Sequence, residues 1–146
     1  MKWVTRARPK TDRIACPWLV RRFIDPGAEF VYVSADRVLE TARELGGHSY
    51  DARGAEYTHE GAKCTFEVLV DRHRLGGDPA LAELARMVHA ADIATDVDSH
   101  PFGAALRAIG EAGLDVDDDD QRLLERGLFV YDALYAWCKR HTGSAT

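Results

Sequence analysis

From Cys64 to the end of the chain, apolar residues return at every third or fourth position, and that spacing fits helices rather than strands. It predicts helices over residues 64–74, 79–96, 102–112 and 119–140. Asp78-Pro79 gives the second a cap and a proline at its first helical position. Before Cys64 the pattern differs. KWVTR reads as a short strand, and DPGAEFVYVS as a turn followed by a strong strand. ADRVLETARELGG is an amphipathic helix closed by Gly46 and Gly47. HSYDARGAEYTHEG is polar, with room for a hairpin or an edge strand. Thr11 or Asp12 can cap a first helical turn. Pro17 then favours a helix start and pushes its predecessor out of the helical region. PWLVRRFID is therefore expected as a fresh helix with Cys16 at or near its N-cap. The expected fold class is α+β and helix-rich: a small N-terminal sheet of about three strands packed with four or more helices. No linker divides the 146 residues, so one domain is expected over 1–140, with a flexible tail over 141–146.

One carboxylate breaks the helical pattern. In DPALAELARMVHAADIATDV the residues Leu81, Leu84, Ala85 and Val88 form the buried stripe, and the next step of four reaches Asp92. An aspartate on an apolar stripe needs a partner. A metal, a buried arginine or His89 could serve, and His89 is its neighbour three residues earlier. Asp96 lies one further turn along. His-x-x-Asp on one helix resembles the inward-facing ligand pairs of helical metal sites, although a structural ion pair explains it equally.

THEGAKCTFEVL poses the same choice. Glu67 stands three residues after Cys64, as in a capping box with Cys in place of Ser or Thr. It can also be an oxygen ligand that joins His89 and Asp92 across the helix pair, with His59 pointing into the same pocket. Glu67, His89 and Asp92 would then form a site suited to Mn, Fe or Zn. Cys16 and Cys64, each placed near a helix start with arginine neighbours, are candidate redox thiols. Small gap-filling side chains are the commoner fate of free cysteines. Asp132, beside the Leu128/Tyr131/Leu134/Tyr135 stripe of the last helix, is a further ligand or an arginine partner.

Charge is distributed unevenly. Residues 1–24 hold seven Lys/Arg against one acid, Asp12, while the net charge is -5. A basic segment on an acidic body points to an anion pocket rather than a nucleic-acid surface. Arginine's planar fork of donors suits tetrahedral oxyanions, which makes Arg6 and Arg13, with His59, the candidate oxyanion-binding residues. The alternative is that Arg13 pairs with a buried acid such as Asp92 or Asp132. No apolar run approaches the roughly 20 residues of a membrane span, and the first residues lack the apolar stretch of a signal peptide. Three widely spaced cysteines make no disulfide framework or CxxC zinc pattern. A cytoplasmic protein with reduced thiols is expected.

KWVTRARPKTDRIACPWLVRRFID, HEGAKCTFE, VHAADI and YDALY resemble the C-terminal domain of ChrB-type chromate-resistance proteins, from Lys2 to about Tyr135. Arg6, Arg13, Cys16, His59, Cys64, Glu67, His89 and Asp92 all lie in the matching blocks. The resemblance implies a link to chromate resistance as a stress response. Larger members are regarded as chromate-responsive regulators that carry a further N-terminal domain, and similar domains occur joined to sulfurtransferase domains. The chain is expected to lack that N-terminal domain. Its acidic charge and the absence of a readable helix-turn-helix also argue against DNA binding. Three functions stay open. One is a sensor or binding module holding a metal ion or oxyanion. Another is a metal-dependent hydrolase or redox enzyme. The third is a partner domain for a sulfurtransferase or another stress protein.

Overall fold

The computed structural model describes residues 1–143. The fold is helix-rich α+β around a three-stranded parallel sheet, as the sequence pattern predicts. β1 (Lys2–Arg6) is central, flanked by β2 (Glu29–Val33) and the two-residue edge strand β3 (His48–Ser49). The polar stretch after Gly47 supplies this edge strand and two isolated bridges, Tyr50 with Tyr57 and an antiparallel one between Glu60 and Lys63. α1 (Thr11–Leu19), extended by a π-helical turn (Val20–Ile24), crosses from β1 to β2, and α2 (Val38–Leu45) leads from β2 to β3. A central strand is covered on both faces, and Trp3, Val4 and Thr5 are accordingly all buried.

The rest of the chain is helical: α3 (Thr65–Arg72), α4 (Pro79–Asp92), a 3₁₀ segment (Ala94–Ser99), α5 (Gly103–Val116) and α6 (Asp120–Thr142). Leu81, Leu84 and Val88 of α4 are fully buried, with Ala85 nearly so, as the stripe requires. α4 packs against α5 and α6, and α1 lies across α3, α4 and α6. At Gly110 an added Cβ would come within 2.9 Å of Thr11 Oγ1, so glycine lets α5 press against the start of α1. α6 runs through Thr142, so the expected tail begins inside it, and residues 144–146 lie outside the described residues.

Several boundaries differ from expectation, among them the end of α5, which runs to Val116 rather than 112. Pro17 does not start a helix but sits inside α1, and Cys16 is a buried interior residue rather than an N-cap. A mid-helix proline leaves the carbonyl four residues earlier without its amide partner. That carbonyl belongs to Arg13, and the Tyr32 hydroxyl donates to it at 3.2 Å. α4 stops at Asp92 because Ile93 adopts an extended backbone, so Asp96 folds back in the 3₁₀ segment instead of continuing the helix. Among the described residues no helix is long and apolar enough to cross a membrane.

Candidate functional site

The chain leaves the carboxyl end of β1 at Arg6 and turns into α1, whose first residues are Thr11, Asp12 and Arg13. The neighbouring strand β3 ends just before Tyr50 and Asp51. One connection runs towards β2 and the other away towards α3. The gap between carboxyl ends that diverge in this way is where open α/β sheets bind ligands. A pocket of about 270 Å³ opens there, with Arg6, Lys10, Asp12, Arg13, Asp51 and His59 on the sheet side. Ala91 and Asp92 from the end of α4, and Arg107 and Glu111 from α5, close the other side.

His59 is the hub. Its Nε2 lies 3.1 Å from Asp92 Oδ2, 3.5 Å from Asp51 Oδ1 and 3.6 Å from Asp12 Oδ2. The imidazole is 42% exposed while the Asp12 side chain is 1% exposed, so His59 forms the open side of a buried acidic floor. Asp51 is tied down further. It accepts from the Thr65 hydroxyl at 2.8 Å and pairs with Arg6 at 3.4 Å and Arg13 Nε at 3.5 Å. Its backbone is left-handed, with φ 46°, a region that aspartate tolerates better than most residues. Asp12 accepts the Thr65 and Phe66 amides at 2.9 and 3.2 Å, so a residue of α1 satisfies the first-turn N–H groups of α3.

The titrations follow from this crowding. Burial pushes the Asp12 carboxyl up, to about 7, against the opposing pull of His59. Burial and the charge of Asp51 raise Asp92. Burial also acts on Asp51, but the neighbouring His59, the hydrogen bond from Thr65 and the charges of Arg6 and Arg13 outweigh it and hold its carboxyl low. The nearby Asp12 and Asp51 carboxylates raise His59 to about 10. At neutral pH the floor therefore holds an imidazolium.

The predicted oxyanion residues Arg6, Arg13 and His59 thus share one pocket. The predicted metal residues divide. Asp92 joins His59 and Asp12, while Glu67 and His89 meet one helix away. His89 Nδ1 is 2.5 Å from Glu67 Oε1, and its Nε2 is 2.7 Å from Asp96 Oδ2. Burial disfavours the His89 imidazolium, but its bonds to the two carboxylates outweigh this and raise its pKa. Glu67 also accepts the Cys64 amide at 3.0 Å, so the expected capping box is present. Cys16 and Cys64 are both fully buried, and burial raises both thiols well above the ordinary cysteine range. Asp132 is an arginine partner: it holds Arg22 and accepts the Trp18 indole N–H at 2.7 Å.

A family model described as "ChrB, C-terminal domain" matches residues 3–138. The chain belongs to this family. It is similar to Protein ChrB of Cupriavidus metallidurans, 38% identical over 136 residues that cover 92% of this chain and 40% of that protein. The chain thus spans about 40% of the length of the curated relative it matches. No solved structure matches it.

Sequence reasoning missed five charged pocket residues of this ChrB domain: Lys10, Asp12, Asp51, Arg107 and Glu111. Asp12 was expected only as a local cap, although it is the one acid in the basic first segment. Asp51 was hidden in a polar stretch, and its signal was position, just past the end of a strand. Arg107, on α5, carries no local signal. It reaches the end of α4 by donating to the Ala91 carbonyl at 2.9 Å.

Proposed function

We propose that this ChrB domain is the ligand-binding module of a chromate-resistance protein. Its pocket takes a divalent metal on Asp12, His59 and Asp92, together with an oxyanion on the arginine rim. The observation that carries this reading is the convergence of three carboxylates on His59 Nε2 at the floor of an open pocket. Carboxylates crowded in this way repel one another unless a cation sits among them. In the metal-free chain that cation is the imidazolium. One ligand atom each from Asp12, His59 and Asp92 lies within 4.8 Å of the others, close enough for one ion to bridge them. One imidazole and two carboxylates suit Mn, Fe or Zn. The ion displaces the His59 proton, so its affinity rises with pH.

Charge balance argues for a pair of ligands. Asp12, Asp51, Asp92 and Glu111 face Arg6, Lys10, Arg13 and Arg107. With His59 neutral these charges cancel. A divalent cation and a dianion entering together keep the pocket neutral, and either alone leaves a poorly solvated charge. Chromate is such a dianion, and the family context supports it as the partner of the metal. Because Asp12 also caps α3, drawing its carboxylate onto a metal alters a contact between two helices, which is what a sensor needs.

Elemental mass spectrometry on protein purified without a metal-affinity tag, before and after chelation, tests the cation. Equilibrium dialysis with chromate, with and without added Mn(II), tests the pair. Near-stoichiometric metal that is lost in His59→Ala and Asp92→Ala, with chromate bound only alongside the metal, is the expected result. Chromate bound equally well by metal-free protein would instead favour a simple oxyanion site on Arg6, Arg13 and His59.

A further inference from the structure

We infer a second metal site, separate from the pocket, made by Cys64 Sγ, the Glu67 carboxylate and His89 Nδ1, with the chemistry to hold a zinc-like ion. One ligand atom from each lies within 4.8 Å of the other two. The capping box creates half of the site. With Cys64 at the N-cap of α3 and Glu67 three residues on, thiol and carboxylate share one side of the first turn. α4 supplies His89 opposite them.

Two further observations distinguish this cluster from a helix cap beside an ion pair. His89 carries a carboxylate on each ring nitrogen: Glu67 on Nδ1 and, from outside the cluster, Asp96 on Nε2 at 2.7 Å. A carboxylate on the far nitrogen is the arrangement that orients metal-ligating histidines, and here it aims Nδ1 at Glu67 and Cys64. Asp96 reaches that position only because α4 stops at Asp92 and the chain folds back. The N-cap itself is the second observation. Ser, Thr, Asp and Asn are the residues that stabilise this position, and cysteine is not among them. A thiol here adds little as a cap but supplies a soft donor.

A thiolate, an imidazole and a carboxylate form a mixed donor set for tetrahedral Zn(II), with water in the fourth position. Cys64 is buried while Glu67 and His89 are partly exposed, so the ion enters from their side. Binding displaces the thiol proton and the Nδ1 proton to solvent, and the thiolate and carboxylate together balance the divalent charge. The pocket set of Asp12, His59 and Asp92 has no sulfur, so the two sites differ in the ions they prefer and in their spectra.

The test is a Co(II) titration of the full chain with a non-thiol, non-chelating reductant. A near-ultraviolet thiolate-to-cobalt charge-transfer band saturating at one equivalent, and bleached by Zn(II), is expected. Cys64→Ser abolishes the band; serine is a better N-cap, so circular dichroism shows the fold intact. Asp96→Asn weakens cobalt affinity by about 10–100-fold. His59→Ala, which removes the pocket site, leaves the band unchanged, so failure of one site is read separately from failure of the other. No band in the wild type, a band that survives Cys64→Ser, or a band lost in His59→Ala would each overturn the proposal.

Discussion

Asp12 belongs to α1 but caps α3: its carboxylate accepts the amide of Thr65, 53 residues away, at 2.9 Å. The same carboxylate lies 3.6 Å from His59. One buried side chain therefore joins two helices and forms part of the pocket floor, so structure and binding cannot be perturbed independently at this position.

Asp12→Ala leaves the first-turn amides of Thr65 and Phe66 buried without an acceptor, a loss of about 1–3 kcal/mol. Asp12→Asn keeps one acceptor oxygen and recovers part of that stability, while both variants lose the pocket metal. Urea unfolding midpoints and metal content measured side by side check this. An Asp12→Ala protein as stable as wild type would remove the capping role.

Stability of the metal-free chain falls as pH rises from neutral to alkaline. The folded pKa of His59 is raised from 6.5 to about 10, so its contribution is fully present below about 6.5 and is lost as pH rises through about 10. Asp12, raised from 3.8 to about 7, acts in the same direction: its contribution is fully present below 3.8 and is lost as pH rises through about 7. Denaturant midpoints at pH 8 and pH 10 are expected to differ in wild type and to differ less in His59→Gln, where Asp12 is the remaining titrating group of the floor. An equal pH dependence in that variant would place the titrating group elsewhere.

Asp132→Ala destabilises without touching the pocket. Trp18 is buried, and its indole N–H loses its acceptor, a cost of about 1–3 kcal/mol. Arg22 loses a two-point contact, but at the surface, where it contributes little. Lower thermal stability with unchanged metal and chromate binding is expected. A loss of metal would return Asp132 to the list of ligands.

Periodicity made Asp92 legible as a carboxylate carried inward by its own helix, because the stripe that buries Val88 also turns its neighbour four residues on towards the pocket, where it is half-buried. Local spacing likewise showed the Cys64–Glu67 box. What it could not show was partnership across the fold. Asp12 and Asp51 meet because β1 and β3 are neighbours in the sheet, and nothing within either segment encodes that pairing. Pro17 misled for a related reason. Its local preference is for a helix start, but the Tyr32 hydroxyl from β2 takes up the orphaned Arg13 carbonyl, and α1 passes through. Pairing His89 with Asp96 rather than Asp92 required knowing that Ile93 ends the helix and brings Asp96 back, and the sequence carries no proline or glycine there to mark the break.

Arg13 separates the two halves of the proposed ligand pair. Its side chain is only 12% exposed, lies 3.5 Å from Asp51 through Nε, and donates to the Ala7 carbonyl at 3.1 Å. Arg13→Lys keeps the charge, so Asp51 stays compensated and the carboxylate floor stays in place, but the planar fork is lost. One charge-assisted hydrogen bond is worth about 1.5–3 kcal/mol, so chromate affinity in the presence of metal is expected to drop by about 10–100-fold. Metal content should not change, because Asp12, His59 and Asp92 are untouched. Equilibrium dialysis and elemental analysis of the same preparation read both quantities. Wild-type chromate affinity in Arg13→Lys with metal retained would move the oxyanion contacts to Arg107, on the opposite wall. Loss of both ligands would mean that Arg13 holds the floor together rather than gripping the anion.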